Sequence, residues 1–419
     1  MSLLSEGIGP RLNDFVIGLM TAEHRIDPYF RDGFDRLFQR PLAAVAQWCL
    51  RRLHSNSETA LCQEVAIDGE EQIAREIADH MVRFIHREYQ GRVAERAGNT
   101  KTYGVVRAEF SVRSDLDDRL RHGVFSVAKT FPAWIRFGGP GPSSPPDVAD
   151  NGILSIGIKL MGVDGPKLLE DERWTQDFLG ISCPTFTTPN IIENVKLQRQ
   201  LFARTPVLYF LNPFDSHYLD ALMQGLYARM NTSPLETRYW SCVPYLLGPG
   251  QAMKYAVRPR SAIKTGIPWN PPDDWLRLAM RNTLAESDAT FDFLVQLQTD
   301  HRRMPVEDAS IEWPESISAF VPVATIRIPQ QVFDTPEQRA FARQLSFNPW
   351  HSIAEHRPLG NQNRARRHIY QTLSRARQAM NQEPHVEPGP IHAQLNRPID
   401  EKRGTFVEAR SSDAATRMP

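Results

Sequence analysis

The sequence predicts an α+β fold in which helices at both ends bracket an antiparallel sheet or barrel. Three observations predict it. Apolar residues recur every three or four positions at Ile73, Ile77, Met81, Phe84 and Ile85, and again at Ala365, Ile369, Leu373, Ala376 and Met380. Between these stretches the period changes to two, with Val106, Ala108, Phe110 and Val112 alternating with Arg107, Glu109 and Ser111. The strand-like segments are widely separated and do not alternate regularly with helices, which argues against a Rossmann arrangement.

The elements follow in order. Residues 1–70 read as short helices and loops, with Gln47-Trp48-Cys49-Leu50 closing an apolar stretch from Pro41. The spacing then predicts one long helix over Glu71–Tyr89 with a single apolar face. Val106–Val112 is the first strand, Ala133–Phe137 the second and Ile153–Leu160 the third, apolar enough to be buried. The three glycines and four prolines of Gly138–Pro146 are loop chemistry. Further strands are expected at Ala252–Val257, Thr290–Gln298 and Ser318–Ile328, and helices within 190–235, 271–286 and Asn361–Met380. The tail after Asn381 is proline-rich, then polar and charged from Gly404 to Pro419, and is expected to be disordered at its end.

Composition narrows the function classes. The chain has 419 residues, 41% hydrophobic and 23% charged, enough for one large core or two smaller ones. Its 49 basic and 49 acidic residues cancel, so no long-range field draws it to nucleic acid or anionic lipid. There is no signal-peptide pattern and no apolar run approaching the ~20 residues of a membrane span. Cys49, Cys62, Cys183 and Cys242 are scattered without a CxxC pair, so a cysteine zinc site is not expected and a reducing, cytoplasmic setting is.

Four segments carry a more specific signal. They are Arg96-Ala97-Gly98-Asn99-Thr100-Lys101-Thr102-Tyr103-Gly104; Phe131-Pro132-Ala133-Trp134-Ile135-Arg136-Phe137, followed by Asp147; Gln176 through Phe186; and Phe347-Asn348-Pro349-Trp350-His351 with Glu355-His356-Arg357-Pro358-Leu359-Gly360. Their order and spacing resemble the catalase superfamily, in particular its divergent bacterial catalase-like branch. The resemblance implies a catalase-like antiparallel β-barrel of about eight strands with flanking helices. It implies three regions: an N-terminal helical region over 1–91, a barrel heme domain with helical insertions and a late helix over 92–380, and a tail over 381–419. It also implies heme b, buried between the barrel and the late helix.

Site residues follow position by position. Arg136 matches an arginine that forks onto a heme propionate, although a strand arginine at the surface is the plainer reading. An arginine expected in the following strand is absent, because Leu154 stands there. Arg96 matches an arginine near the propionates, or is one solvated residue among Arg87, Arg92 and Glu95. Phe186 matches an aromatic wall over the heme, which core packing would equally explain. Asn99 matches the distal histidine, or is a turn asparagine after Gly98. An imidazole can take and return a proton near neutral pH; a carboxamide can only donate and accept hydrogen bonds. Ser182 matches the distal asparagine, and Tyr103 stands where the branch often carries a second histidine. Counting back from Leu359-Gly360, His351 falls at the position of the tyrosinate iron ligand, with Phe347 where an arginine one helical turn earlier would support that tyrosinate. A neutral imidazole is a competent axial ligand, so His351 is the expected metal ligand; a helix-start histidine bonded to backbone is the alternative. Arg364, Arg366, Arg367, Arg375 and Arg377 form a basic run on the late helix; a solvated face is the plain reading, and one or two could reach a propionate or an acidic substrate.

The expected function is a heme-dependent, peroxidase-like oxidoreductase related to catalase. It would act on an organic substrate or hydroperoxide, by peroxidase or peroxygenase chemistry or by hydroperoxide rearrangement, and would be weak as a true catalase. Its partners would be a small-molecule or lipid-like substrate, not nucleic acid, with self-association left open. The alternative is a catalase-fold protein that has lost heme and serves in binding or assembly.

Overall fold

Alternation at period two builds the centre of the molecule. The computed structural model describes residues 9–389 apart from 140, 142–143, 145, 149–151, 213 and 261–264. Its strands are β1 (Thr102–Val112), β2 (Thr130–Gly138), β3 (Ser155–Met161), β4 (Thr175–Ile181), β5 (Tyr239–Trp240), β6 (Tyr245–Leu246), β7 (Ala252–Pro259), β8 (Ala289–Leu297) and β9 (Val321–Ile328). Every pairing is antiparallel, in the order β5-β4-β3-β2-β1-β9-β8-β7-β6. The two residues of β5 pair with both β4 and β7, which closes eight strands into a barrel and leaves β6 as a short spur on β7. Closure removes the open sheet edges that invite aggregation.

One residue in two along each strand points inward. Phe110, Phe178, Tyr255 and Phe293 fill the barrel, joined by Phe125 from a short turn. Their rings stand 5.0–6.4 Å apart in tilted, edge and stacked contacts, the arrangement that aromatic quadrupoles favour.

Helices cover the outside: α1 (Gly9–Phe34), α2 (Arg40–Leu53), α3 (Glu70–Glu88), α4 (Ile191–Phe202), α5 (Pro206–Leu211), α6 (Tyr218–Tyr227), α7 (Trp275–Glu286), α8 (Pro336–Gln344) and α9 (Asn361–Asn381). Helices α3, α4 and α9 share a second core of Ala74, Ile77, Ala78, Ile191, Val195, Ala365 and Ile369. No helix among the described residues is long and apolar enough to cross a membrane.

Several expectations need correction. Residues 1–70 hold a 26-residue helix instead of short ones. Its inward face is polar and it contains Pro28, so the usual apolar signature is missing. Strand β4 escaped periodicity because Thr175, Gln176 and Asp177 are polar yet buried. Helix α8 is announced by a capping box, Thr335 with Gln338, and not by an apolar stripe. The start of the tail is ordered: the Glu387 carboxylate accepts the backbone N–H groups of Arg173, Trp174 and Thr175 at 2.8–3.1 Å. Gly404–Pro419 lies outside the described residues.

The entry to α9 fixes how that helix sits on the barrel. The Asn361 amide donates to Glu307 and accepts from Ile191 N–H, and Asn363 donates to the Pro244 carbonyl. Just before them Gly360 has φ +83°, and a Cβ there would lie 2.5 Å from the Val306 carbonyl oxygen. Gly360→Ala is therefore expected to cost about 1–3 kcal/mol or more, from strain at positive φ plus the clash. Urea unfolding against the parent protein checks it, and an unchanged midpoint would contradict it.

Candidate functional site

The outward-facing residues of the barrel wall build the site. On β3 these are Ser155, Gly157 and Lys159; opposite them stand Gly138, Arg136 and Trp134 of β2, and Ile181, Leu179 and Asp177 of β4. The first two rows face a cavity of about 450 Å³. The third row faces a buried cluster of charges. Helix α9 roofs the cavity with Arg366, Ile369, Tyr370, Leu373, Ser374 and Arg377, spaced so that all fall on one helical face. Apolar side walls come from α3 and α4, including Ile77, Phe84, Leu197 and Phe202.

Four arginines line the cavity, and three of them, Arg96, Arg136 and Arg377, lie close enough to act on one another. Arg136 and Arg377 are 6% and 4% exposed, and Arg96 is half-buried. Arg136 donates to the carbonyls of Asn99 and Thr100 and to the Thr102 hydroxyl at 2.6–3.2 Å. Arg96 donates to the Ala342 and Leu345 carbonyls at 3.1 and 2.6 Å, and Arg377 to the carbonyls of Arg343 and Leu345. No carboxylate among the described residues lies within ion-pair distance of the three. Burial lowers the pKa of each; Arg136 falls to about 10, and Arg96 falls well below its ordinary value because Arg136 and Arg377 also repel it. Such a site is built to receive negative charge.

Tyr370 presents its phenol to the same cavity, and no hydrogen bond to the described residues engages it. Arg366, one helical turn earlier, also lines the cavity and lies 5.0 Å over the Phe186 ring. The Arg366 pKa is raised, although burial alone would lower it. This arginine–tyrosine pair was not among the expected site residues. The signal was in the sequence as Arg-x-x-x-Tyr, the one-turn spacing sought at 347 and 351.

The other expected residues divide. Asn99, Arg96, Arg136 and Phe186 all line the cavity. Asn99 has φ +47°, a left-handed conformation that asparagine tolerates well. Ser182 does not line the cavity: its hydroxyl accepts from Leu154 N–H at 2.8 Å and its own N–H donates to the Leu154 carbonyl, so it ties the ends of β3 and β4. Tyr103 is buried in the barrel core.

His351 is also outside the cavity that gathers Arg96, Asn99, Arg136 and Phe186. It is 1% exposed and sits among carboxylates, with Nδ1 2.9 Å from Asp177 and Nε2 3.3 Å from Asp171. Glu172, Asp177 and His351 converge closely enough to ligate an ion, but the Lys159 ammonium already sits against both carboxylates. Burial would depress the His351 pKa, yet Glu172, Asp171 and Asp177 raise it to about 9. A protonated imidazole is a poor ligand. His356 is buried too, its Nε2 accepting from Val124 N–H at 3.0 Å, and burial lowers its pKa to about 4.

No protein-family model matches the sequence, and no curated protein matches it. Solved structures do. A bacterial catalase superposes over 87% of this chain and 72% of its own at a TM-score of 0.54 and 14% identity. Catalase A from Saccharomyces cerevisiae superposes over 87% and 82% at 0.57 and 14%, and a fungal catalase over 87% and 80% at 0.53 and 14%. The chain therefore has the fold of catalases.

The charge cluster yields a test. His351→Ala would leave Asp177 and Glu172 with a single cation and is expected to cost about 3–5 kcal/mol. In the parent protein the contribution of His351 is complete below pH 6.5 and lost as pH rises through about 9. Urea midpoints at pH 6.5 and 9.5 check this. The difference between parent and variant should shrink at the higher pH, and an equal difference at both would contradict it.

Proposed function

We infer that the cavity binds heme b and that the protein is a heme-dependent oxidoreductase acting on an organic substrate or hydroperoxide. The observation that carries this reading is the trio Arg96, Arg136 and Arg377, buried or half-buried around one cavity with no carboxylate of the described residues in ion-pair contact and only Glu95 near enough to act on all three. Two propionates would supply that balance. The volume and apolar walls suit a flat, largely apolar group held by a few charged contacts.

The remaining residues fall into roles consistent with this. Tyr370 is the protein's candidate axial ligand. Arg366 beside it would stabilise the phenolate form, as a cation within reach of an anion does. Tyr370 and Arg377 are two turns apart on α9, so one helix supplies both the ligand and a propionate contact. Bound there, heme would supply peroxide-dependent oxidation. On the barrel side Asn99 can hold an oxygen atom by hydrogen bonds but cannot move a proton near neutral pH. His80 is the one histidine among the described lining residues, and it belongs to the α3 side wall, where its ring lies 5.5 Å from Phe202. The apolar walls of α3 and α4 leave room for an organic substrate.

The competing reading is a heme-free binding protein, favoured by the absence of a titrating group at position 99. Reconstitution with hemin separates the two. Arg136→Ala and Arg377→Ala should each weaken heme retention, by roughly 3–5 kcal/mol for a lost partner of a buried pair. Heme content after gel filtration measures it, with circular dichroism as the control for folding. Tyr370→Phe should abolish the phenolate signature of the ferric spectrum while His351→Ala leaves it in place; the reverse result would return the ligand to His351. Hydrogen peroxide dismutation should be weak, and Asn99→His should raise it, since a general acid–base group is worth about 10²–10⁴ in rate. Oxygen release by the parent protein at a rate typical of catalases would contradict the assignment of Asn99.

A further inference from the structure

Helix α1 is amphipathic the wrong way round. The residues it buries are Asn13, His24, Asp27 and Arg31. They hold the helix to α5, α6 and the segment after α6 by polar contacts: Asp27 accepts Met230 N–H at 2.7 Å, Asn13 accepts Val207 N–H at 3.4 Å, and Arg31 donates to the Gly225 and Leu226 carbonyls. The opposite face carries Leu12, Phe15, Leu19, Ala22, Ile26 and Tyr29, all exposed, with Phe15, Leu19, Ile26 and Tyr29 between 56% and 66%; Ile17, Met20 and Phe30 are exposed beside this line, and the Tyr29 ring lies 6.0 Å from the exposed Trp269. A helix that turns its large apolar side chains to water on the face away from its own body marks an interaction surface.

The spacing identifies the kind of partner. The six residues follow one another at three, four, three, four and three positions, the a/d pattern of a helix that packs along another helix. Pro28 lies inside the helix but off this seam. A lipid surface would select for basic flanks, whereas α1 carries three arginines against four carboxylates.

The flanking charges point to a second copy of the same helix, running antiparallel. A two-fold axis between Leu19 and Ala22 sets Leu19 of one copy against Ala22 of the other, Phe15 against Ile26 and Leu12 against Tyr29. In that register Arg11 of each copy meets Asp32 of the other, so the contact is self-complementary at both ends. Arg11 has no ion-pair partner among the described residues. Asp32 already accepts Arg229 at 2.9 Å but keeps 72% of its side chain exposed, which leaves an oxygen for a second cation. A parallel pair would set Arg11 and Arg25 beside Val16 and Phe30 and gain no ion pair. We propose that α1 is a self-association surface, pairing antiparallel with α1 of a second copy of this chain.

Sedimentation equilibrium of the full-length protein at micromolar concentration tests it. Leu19→Glu should halve the assembled mass while circular dichroism stays that of the parent. Arg11→Asp and Asp32→Arg should each weaken the association about tenfold, and the two together should restore it. An unchanged mass for Leu19→Glu would overturn the proposal, whatever else covers this face. Failure of the double reversal to restore association would overturn the antiparallel register. Binding of the parent to vesicles of phosphatidylcholine and phosphatidylglycerol, lost in Leu19→Glu without a change in mass, would assign the face to lipid and overturn it as well.

Discussion

Positive charge without a paired counter-charge governs this structure: of the three cavity arginines none has an ion-pair partner among the described residues, and Glu95 is the one carboxylate that acts on all of them. Arg136 and Arg377 are almost fully buried, and Arg96 stands close enough to be repelled by both. Backbone carbonyls satisfy their N–H groups but carry only partial charge. Burying an ion without a partner is among the costliest things a fold can do. Arg136 has earned its place in part, because it gathers the carbonyls of the 99–101 loop and so sets the position of Asn99. Arg96 and Arg377 both tie down the Leu345 carbonyl beyond α8. The cavity walls on two sides thus depend on guanidinium groups that an anion in the cavity would relieve.

The neighbouring row of the same wall shows the opposite arrangement. Lys159 and the protonated His351 face Glu172, Asp177 and Asp171, and there every charge has an opposite charge beside it. This cluster fastens β3 and β4 to the segment before α9, and His385 reaches Glu172 from the tail at 3.5 Å. One barrel wall therefore carries a closed electrostatic site and an open one, two residues apart on β3. The closed site is structural. The open one is where a ligand changes the energy most.

Much of this was legible in the sequence, and the limits have physical causes. Alternation along 106–112 and 133–137 announced the barrel, because residues that fill it must be apolar on one face. The cavity arginines Arg96 and Arg136 were legible because they lie in short motifs of fixed spacing. Tyr370 was not. It and His351 lie on either side of Gly360, and register counted across a turn does not say which side faces the cavity. Ser182 shows the same limit: it stands next to Ile181, which lines the cavity, yet one position along a strand reverses the face. The first helix was missed because its pattern is inverted, with polar residues inside. Periodicity reports which face differs, and only contacts report which face is buried.

The most direct test of the account is the ferric absorption spectrum of the full-length protein, purified from cells supplied with a heme precursor and titrated with hemin. The account predicts one heme per chain, with a Soret band and the charge-transfer features of a phenolate-ligated ferric heme. A protein that takes up no heme, or whose spectrum is that of an imidazole-ligated iron, would contradict it.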